Sequence, residues 1–187
     1  MPNGNELAAF RKFVTEYRRL ILWAIGGSAV PVAAALLSLT PAWPSGIAGV
    51  TAVAQLLVLA LVFQSLRSAR RRVVTRIMIR STVILCFLLP IYLLLIALFT
   101  YTEPLSKMHF TKGFECTDNA KLVFPNKCPF LGLDEISTAR YEEETLWTVP
   151  SVSAMKSLIV VLWLGCFAAL STALGSFVVF QMGRKEK

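Results

Sequence analysis

Four stretches of this 187-residue chain, 20–39, 46–63, 83–100 and 157–180, contain no aspartate, glutamate, lysine, arginine or histidine. An ionisable residue inside the bilayer is the usual mark of a proton relay, an ion pathway or a charged-substrate site, so a pump or proton-coupled transporter is disfavoured. Histidine is nearly absent too. His109 stands alone, with no Cys-x-x-Cys and no second histidine to complete a metal site, and no Ser-His-Asp set can be assembled around it. Asn-x-Ser/Thr sites, internal repeats and lipidation motifs are missing. Nineteen residues precede the first apolar run, so a cleavable signal is not expected and that run should remain as an anchor.

Each uncharged run is as long as a helix needs to be to cross the roughly 30 Å hydrocarbon layer, where the backbone must satisfy its own hydrogen bonds. The expected fold is therefore an all-α membrane protein: a four-transmembrane-helix bundle with a small disulfide-stapled extracytoplasmic loop domain between helices 3 and 4. The expected organisation is an amphipathic interfacial helix at 1–19, spans at 20–39, 46–63, 83–100 and 157–180, an arginine-rich cytoplasmic link at 64–82, an outer loop at 101–156 and a tail at 181–187. What lies outside the spans is too small for an ordinary soluble enzyme domain. No catalytic residue, cofactor or metal is assigned.

Orientation follows from where the positive charges fall. Arg11, Lys12, Arg18 and Arg19 precede the first span; Arg67, Arg70, Arg71, Arg72, Arg76 and Arg80 occupy the second link; Arg184, Lys185 and Lys187 close the chain. The short link at 40–45 is uncharged, and 101–156 has more acidic than basic residues. Lysine and arginine in short loops are retained on the cytoplasmic side, so both termini and the arginine link should be inside and the 56-residue loop outside. The formal net charge of +8 is thus concentrated on one face. Direct nucleic-acid binding is not implied by that total.

The four cysteines fall into two kinds. Cys116 and Cys128 lie in the outer loop, twelve residues apart across Asn119, Pro125 and Asn126, and should be bridged, closing a loop worth roughly 3 kcal/mol. Cys86 and Cys166 lie in spans at depths differing by about 16 Å, too far apart to pair within one subunit. Phe110, Phe114, Leu122, Val123, Phe124, Phe130, Leu131 and Leu133 are the candidate core of the outer loop, with a short helix from Asp134 to about Trp147. Glu142, Glu143 and Glu144 read as its solvated face.

Small residues mark where helices approach closely in lipid. Gly26, Gly27, Ser28 and Ala29 crowd the first span. Gly165, Ala168, Ala169, Thr172, Ala173, Gly175 and Ser176 form a broad face on the last, which serves either packing within the bundle or a subunit interface. Gly165, Ala169, Thr172 and Ser176 are the candidate interface positions. Pro31 and Pro90 are expected to kink their helices. Before the first span, Leu7, Phe10, Phe13, Val14 and Tyr17 recur at helical spacing opposite Arg11, Lys12, Arg18 and Arg19, with Asn3 and Glu6 resembling a capping pair. The link QSLRSARRRVVTRIMIR has six arginines, no lysine and no acid. It suits either anionic headgroups or the carboxylates of a cytosolic partner, for which the guanidinium fork is the better donor.

Two families share this outline. The quinone-linked thiol oxidases of the DsbB type have a cysteine pair in the second outer loop, which Cys116 and Cys128 would match, but they need a Cys-x-x-Cys in the first. Here that loop reads TPAWPS, so the electron path is missing and the enzyme reading is rejected. The chain also resembles the KwaA family, the membrane subunits of the Kiwa anti-phage defence system, in its four spans, short tails and arginine-rich inner link RSARRRVVTRIMIR. That resemblance implies a homo-oligomer, a tetramer, in the bacterial inner membrane that senses infection and holds a cytosolic DNA-binding partner, KwaB. The residues point to a non-enzymatic scaffold or sensor. The alternatives are a pore-forming or membrane-depolarising effector, and an immunity protein against a membrane-inserting toxin.

Overall fold

A computed structural model describes residues 29–37, 39–103, 109–125, 127–139 and 142–182. Three helices are long and apolar enough to cross a membrane, as a multi-pass membrane protein requires: α1 (Ile47–Leu66), α2 (Arg71–Phe99) and α6 (Val149–Met182). Residues 29–36 are helical as well. Most of the first expected span, the interfacial helix at 1–19 and the tail basic residues lie outside the described residues. Between α2 and α6 come the strands β1 (Thr100–Thr102) and β2 (His109–Thr111) and three short helices, α3 (Asp118–Val123), α4 (Leu133–Thr138) and α5 (Glu143–Leu146).

Two boundaries differ from expectation for a clear reason. The segment 71–82, expected as part of a link, is helix continuous with the span, because RRVVTRIMIRST contains no glycine or proline and is rich in helix-forming Arg, Ile and Met. Only residues 67–70 separate α1 from α2. At the other end, α6 begins at Val149, with Pro150 in its first turn where a missing N–H costs nothing. Pro90 lies inside α2. Gly46 adopts φ 79°, a left-handed turn that admits glycine readily and leads the chain into α1.

The chain forms two compact units. In one, which includes the described residues 29–37, 48–84 and 167–182, α1 and α6 approach at Gly175, where a Cβ would stand 2.9 Å from Val62 Cγ1 and 3.3 Å from Leu59 Cδ1. Large apolar residues Val50, Val53, Leu57 and Leu61 face outward from α1 while Thr51, Gln55 and Leu59 are buried. This polar-in, apolar-out arrangement is what a helix surrounded by lipid requires.

The other unit includes the described residues among 39–47 and 85–166. Here the Tyr92 ring packs on Trp163 at 5.4 Å, and its hydroxyl donates to the Leu39 carbonyl at 2.5 Å. A small domain between α2 and α6 grows from this end. β1 and β2 pair antiparallel, Tyr101 opposite Phe110, and Cys116 bridges to Trp147 in an isolated pair. Cys116 and Cys128 form a disulfide with Cα atoms 6.3 Å apart. Thr117 caps α3 by accepting from Ala120 N at 3.2 Å and donates to Thr145 O at 2.8 Å, joining α3 to α5.

The core of this domain is not the phenylalanine-rich set. Leu131 is buried, and Phe110 and Phe124 pack on its edge, but Phe114, Leu122, Val123, Phe130 and Leu133 are exposed. Its centre is instead Trp147, fully buried, with Tyr101, Cys116, Ala120, Leu131, Ile136, Leu146 and Val152 around it. The indole N–H donates to Pro129 O at 3.2 Å, which meets the polar demand of a buried tryptophan. Helices of four to six residues cannot turn a full apolar stripe inward, so the residues nearest the disulfide and Trp147 are covered and the rest are not. The expected single helix from Asp134 to Trp147 is two helices, α4 and α5.

Candidate functional site

Among sequence-predicted positions, the arginines of the second link are brought together at one end of α2. Arg67 and Arg70 lie on the turn, held by Arg67 N donating to Phe63 O at 3.0 Å and Val73 N to Arg70 O at 2.8 Å. Arg71 and Arg72 form the first turn of α2, and Arg76 and Arg80 follow at one-turn steps. All six side chains are exposed.

They are not equivalent. The Arg71 guanidinium lies 4.5 Å from the centre of the Phe180 ring, a cation–π contact that ties the start of α2 to the last turns of α6. Arg71 therefore has a packing role, whereas Arg70 and Arg72 project into solvent. No acidic side chain occupies the first turn of α2, and 48–84 contains no aspartate or glutamate. The first backbone N–H groups of a helix lack intrahelical acceptors and carry a partial positive charge, so arginines placed there add charge of the same sign. This end of the molecule attracts anions and supplies none among its described residues.

Arg11, Lys12, Arg18 and Arg19 lie outside the described residues. Of the candidate interface positions, Ala169 and Ser176 are buried within the chain, Gly165 and Thr172 are half-buried, and a Cβ on Gly165 would meet Leu88 at 3.3 Å. Thr172 Oγ1 donates to Ala168 O at 2.8 Å. The face thus serves contacts within the chain at Ala169 and Ser176, while Ala168 and Phe177 face outward.

Two acidic residues of the domain between α2 and α6 are structural, Glu143 and Glu135. Glu143, expected on a solvated face, is half-buried; its carboxylate accepts from Thr111 N at 3.1 Å and pairs with Lys156 at 2.7 Å, clamping the β-hairpin to α5 and α6. Lys112 donates to Leu131 O at 2.7 Å, and burial lowers its pKa against the opposing influence of Glu135. Lys127 pairs with Glu135, a hydrogen bond that holds that carboxylate below its ordinary range. His109 shares a hydrogen bond with Thr102 across the hairpin at 2.9 Å. No group of three or more histidine, cysteine, aspartate or glutamate residues that could hold a metal ion occurs among the described residues.

Two polar residues that the sequence places inside uncharged spans are buried, which the sequence by itself does not decide. Among the described residues, Gln55, only 4% exposed, finds a hydrogen-bond partner for neither amide atom, and the buried Ser176 hydroxyl finds none either. A buried amide without partners costs about 1–3 kcal/mol. Gln55→Leu, similar in volume, should therefore raise thermal stability in detergent micelles; a fall would show that the amide is satisfied in the native membrane.

Comparison of the chain with protein-family models, curated proteins and solved structures returns no match.

Proposed function

We propose that this chain is a non-enzymatic membrane scaffold or sensor whose basic inner face docks a cytosolic partner. One observation carries the reading: Arg70 and Arg72 are exposed beside a helix N-terminus, in a segment without a single carboxylate. Guanidinium forks in that setting match clustered carboxylates, and each bidentate contact, once partly desolvated, is worth a few kcal/mol. In this reading the arginine end faces the cytoplasm of a bacterial inner membrane, the residues at 20–39 supply a fourth span, and the disulfide-stapled domain lies on the opposite side. The KwaA-like outline extends it: a homo-oligomer, a tetramer, that reports envelope infection to a DNA-binding partner of the KwaB kind, without touching nucleic acid itself.

Affinity purification from native membranes tests the docking. The wild-type protein should retain an acidic cytosolic protein that Arg70→Gln/Arg72→Gln loses, with Arg71 left intact to keep its contact with Phe180. Retention of the same partner by the variant would remove the arginine face from the account. A second reading, a pore-forming or depolarising effector, is favoured by the unpartnered Gln55 and Ser176 in the membrane interior. Oligomerisation that opened this interior would hydrate both groups.

A further inference from the structure

The arginines of α2 lie at different depths. The helix ends at Phe99, whose ring packs on Phe130 at 5.7 Å; with the charge-free run ending here, the proposed orientation puts this residue at the outer edge of the apolar layer. Counting back at 1.5 Å per residue, Arg80 lies about 28 Å from that point, at the inner limit of a hydrocarbon layer about 30 Å thick. Arg76 is about 6 Å further in, within the phosphate layer, and Arg72 about 6 Å beyond that, clear of the headgroups. Helix tilt draws Arg80 deeper still. A carboxylate on a soluble partner can reach Arg72 but not Arg80.

The face on which they lie is also decided. Val74 and Ser81, seven residues apart, are buried and define the inward side of α2 at this end. Arg72 and Arg76 lie on the opposite side, together with exposed Ile79 and Val83, and Arg80, one turn on, lies at its flank, also exposed. That side is apolar below Arg80 and charged above it, which is the profile of a phospholipid standing against the helix. No carboxylate within 48–84 can neutralise the pair. Arginine at the hydrocarbon boundary extends its guanidinium toward the headgroups, and the planar fork matches phosphate oxygens.

We infer that Arg76 and Arg80 form an inner-leaflet site for the phosphodiester of an anionic phospholipid, with an acyl chain along Ile79 and Val83. The inference needs the arginine end to meet one membrane surface, and it is independent of whether Arg70 and Arg72 dock a protein.

The test is native mass spectrometry of the purified full chain after exchange into micelles containing equal amounts of phosphatidylglycerol and phosphatidylcholine. The wild type should retain phosphatidylglycerol selectively. Arg76→Gln/Arg80→Gln should retain about tenfold less, losing two charge-assisted contacts, while Arg76→Lys/Arg80→Lys keeps the preference in part. Arg70→Gln/Arg72→Gln, which removes the same charge, should bind phosphatidylglycerol like the wild type, and millimolar inorganic phosphate should not displace the lipid. Arg76→Gln/Arg80→Gln should also keep any cytosolic partner, which separates this site from the docking surface. Equal retention of both lipids, equal loss in the two glutamine variants, or displacement by inorganic phosphate would each overturn the assignment.

Discussion

Trp147→Ala should unfold the small domain between α2 and α6, at a cost of about 3–5 kcal/mol. The indole is fully buried among Tyr101, Leu131, Ile136 and Leu146, and its N–H satisfies Pro129 O. The domain is too small to absorb such a loss: its helices are four to six residues long and its sheet has two strands. Truncation removes the residue against which the disulfide segment, the hairpin and α5 all pack, leaving the bridge to tether an unfolded loop. Proteolysis from the outer side should cut between α2 and α6 at least tenfold faster, which corresponds to more than about 1.4 kcal/mol when cleavage follows the opened population. Unchanged resistance would mean that the spans or a partner hold the domain together.

Gly175→Leu should separate α1 from α6, lowering stability by more than about 2 kcal/mol, at the upper range for overpacking in a close contact. Gly175→Ala is the informative companion. Its Cβ would stand 2.9 Å from a Val62 methyl, but alanine gains about 1 kcal/mol of helix propensity over glycine, so the two effects should nearly cancel. Leucine adds three more carbons with no space to take them. Thermal unfolding in detergent should therefore rank wild type and alanine together and leucine well below. A leucine variant of full stability that has lost self-association would assign this part of the small-residue face to a subunit interface.

The sequence makes the spans legible because lipid imposes one simple demand, a long uncharged helix, and apart from Gly46 and Thr100 three of the expected runs fall within α1, α2 and α6. Cys116 and Cys128 were legible for a related reason: in a short outer loop few other devices hold the chain. The outer core was not. Phe114, Phe130 and Leu122 are as hydrophobic as Leu131 and Ile136, and only the tertiary position of Trp147 decides which are covered. The expected span stops at the first charge before it, whereas the arginine-bearing segment 71–82, which has no glycine or proline, is helix continuous with it. The spacing of four at Arg72, Arg76 and Arg80 is a signal that periodicity could have found. Contacts distant in sequence, such as Arg71 with Phe180 and Glu143 with Lys156, leave no such trace.

The docking face and the outer domain have meaning only if they lie on opposite sides of the membrane, and two single cysteines can decide this. Ser68, exposed on the turn between α1 and α2, and Leu122, 80% exposed on α3, are each replaced by Cys and treated in intact cells with a membrane-impermeant maleimide. Leu122→Cys should label at once and Ser68→Cys only after the membrane is permeabilised, because the arginine-bearing turn is retained inside. Labelling of Ser68→Cys in intact cells, with Leu122→Cys protected, would invert the molecule and contradict the account at its base.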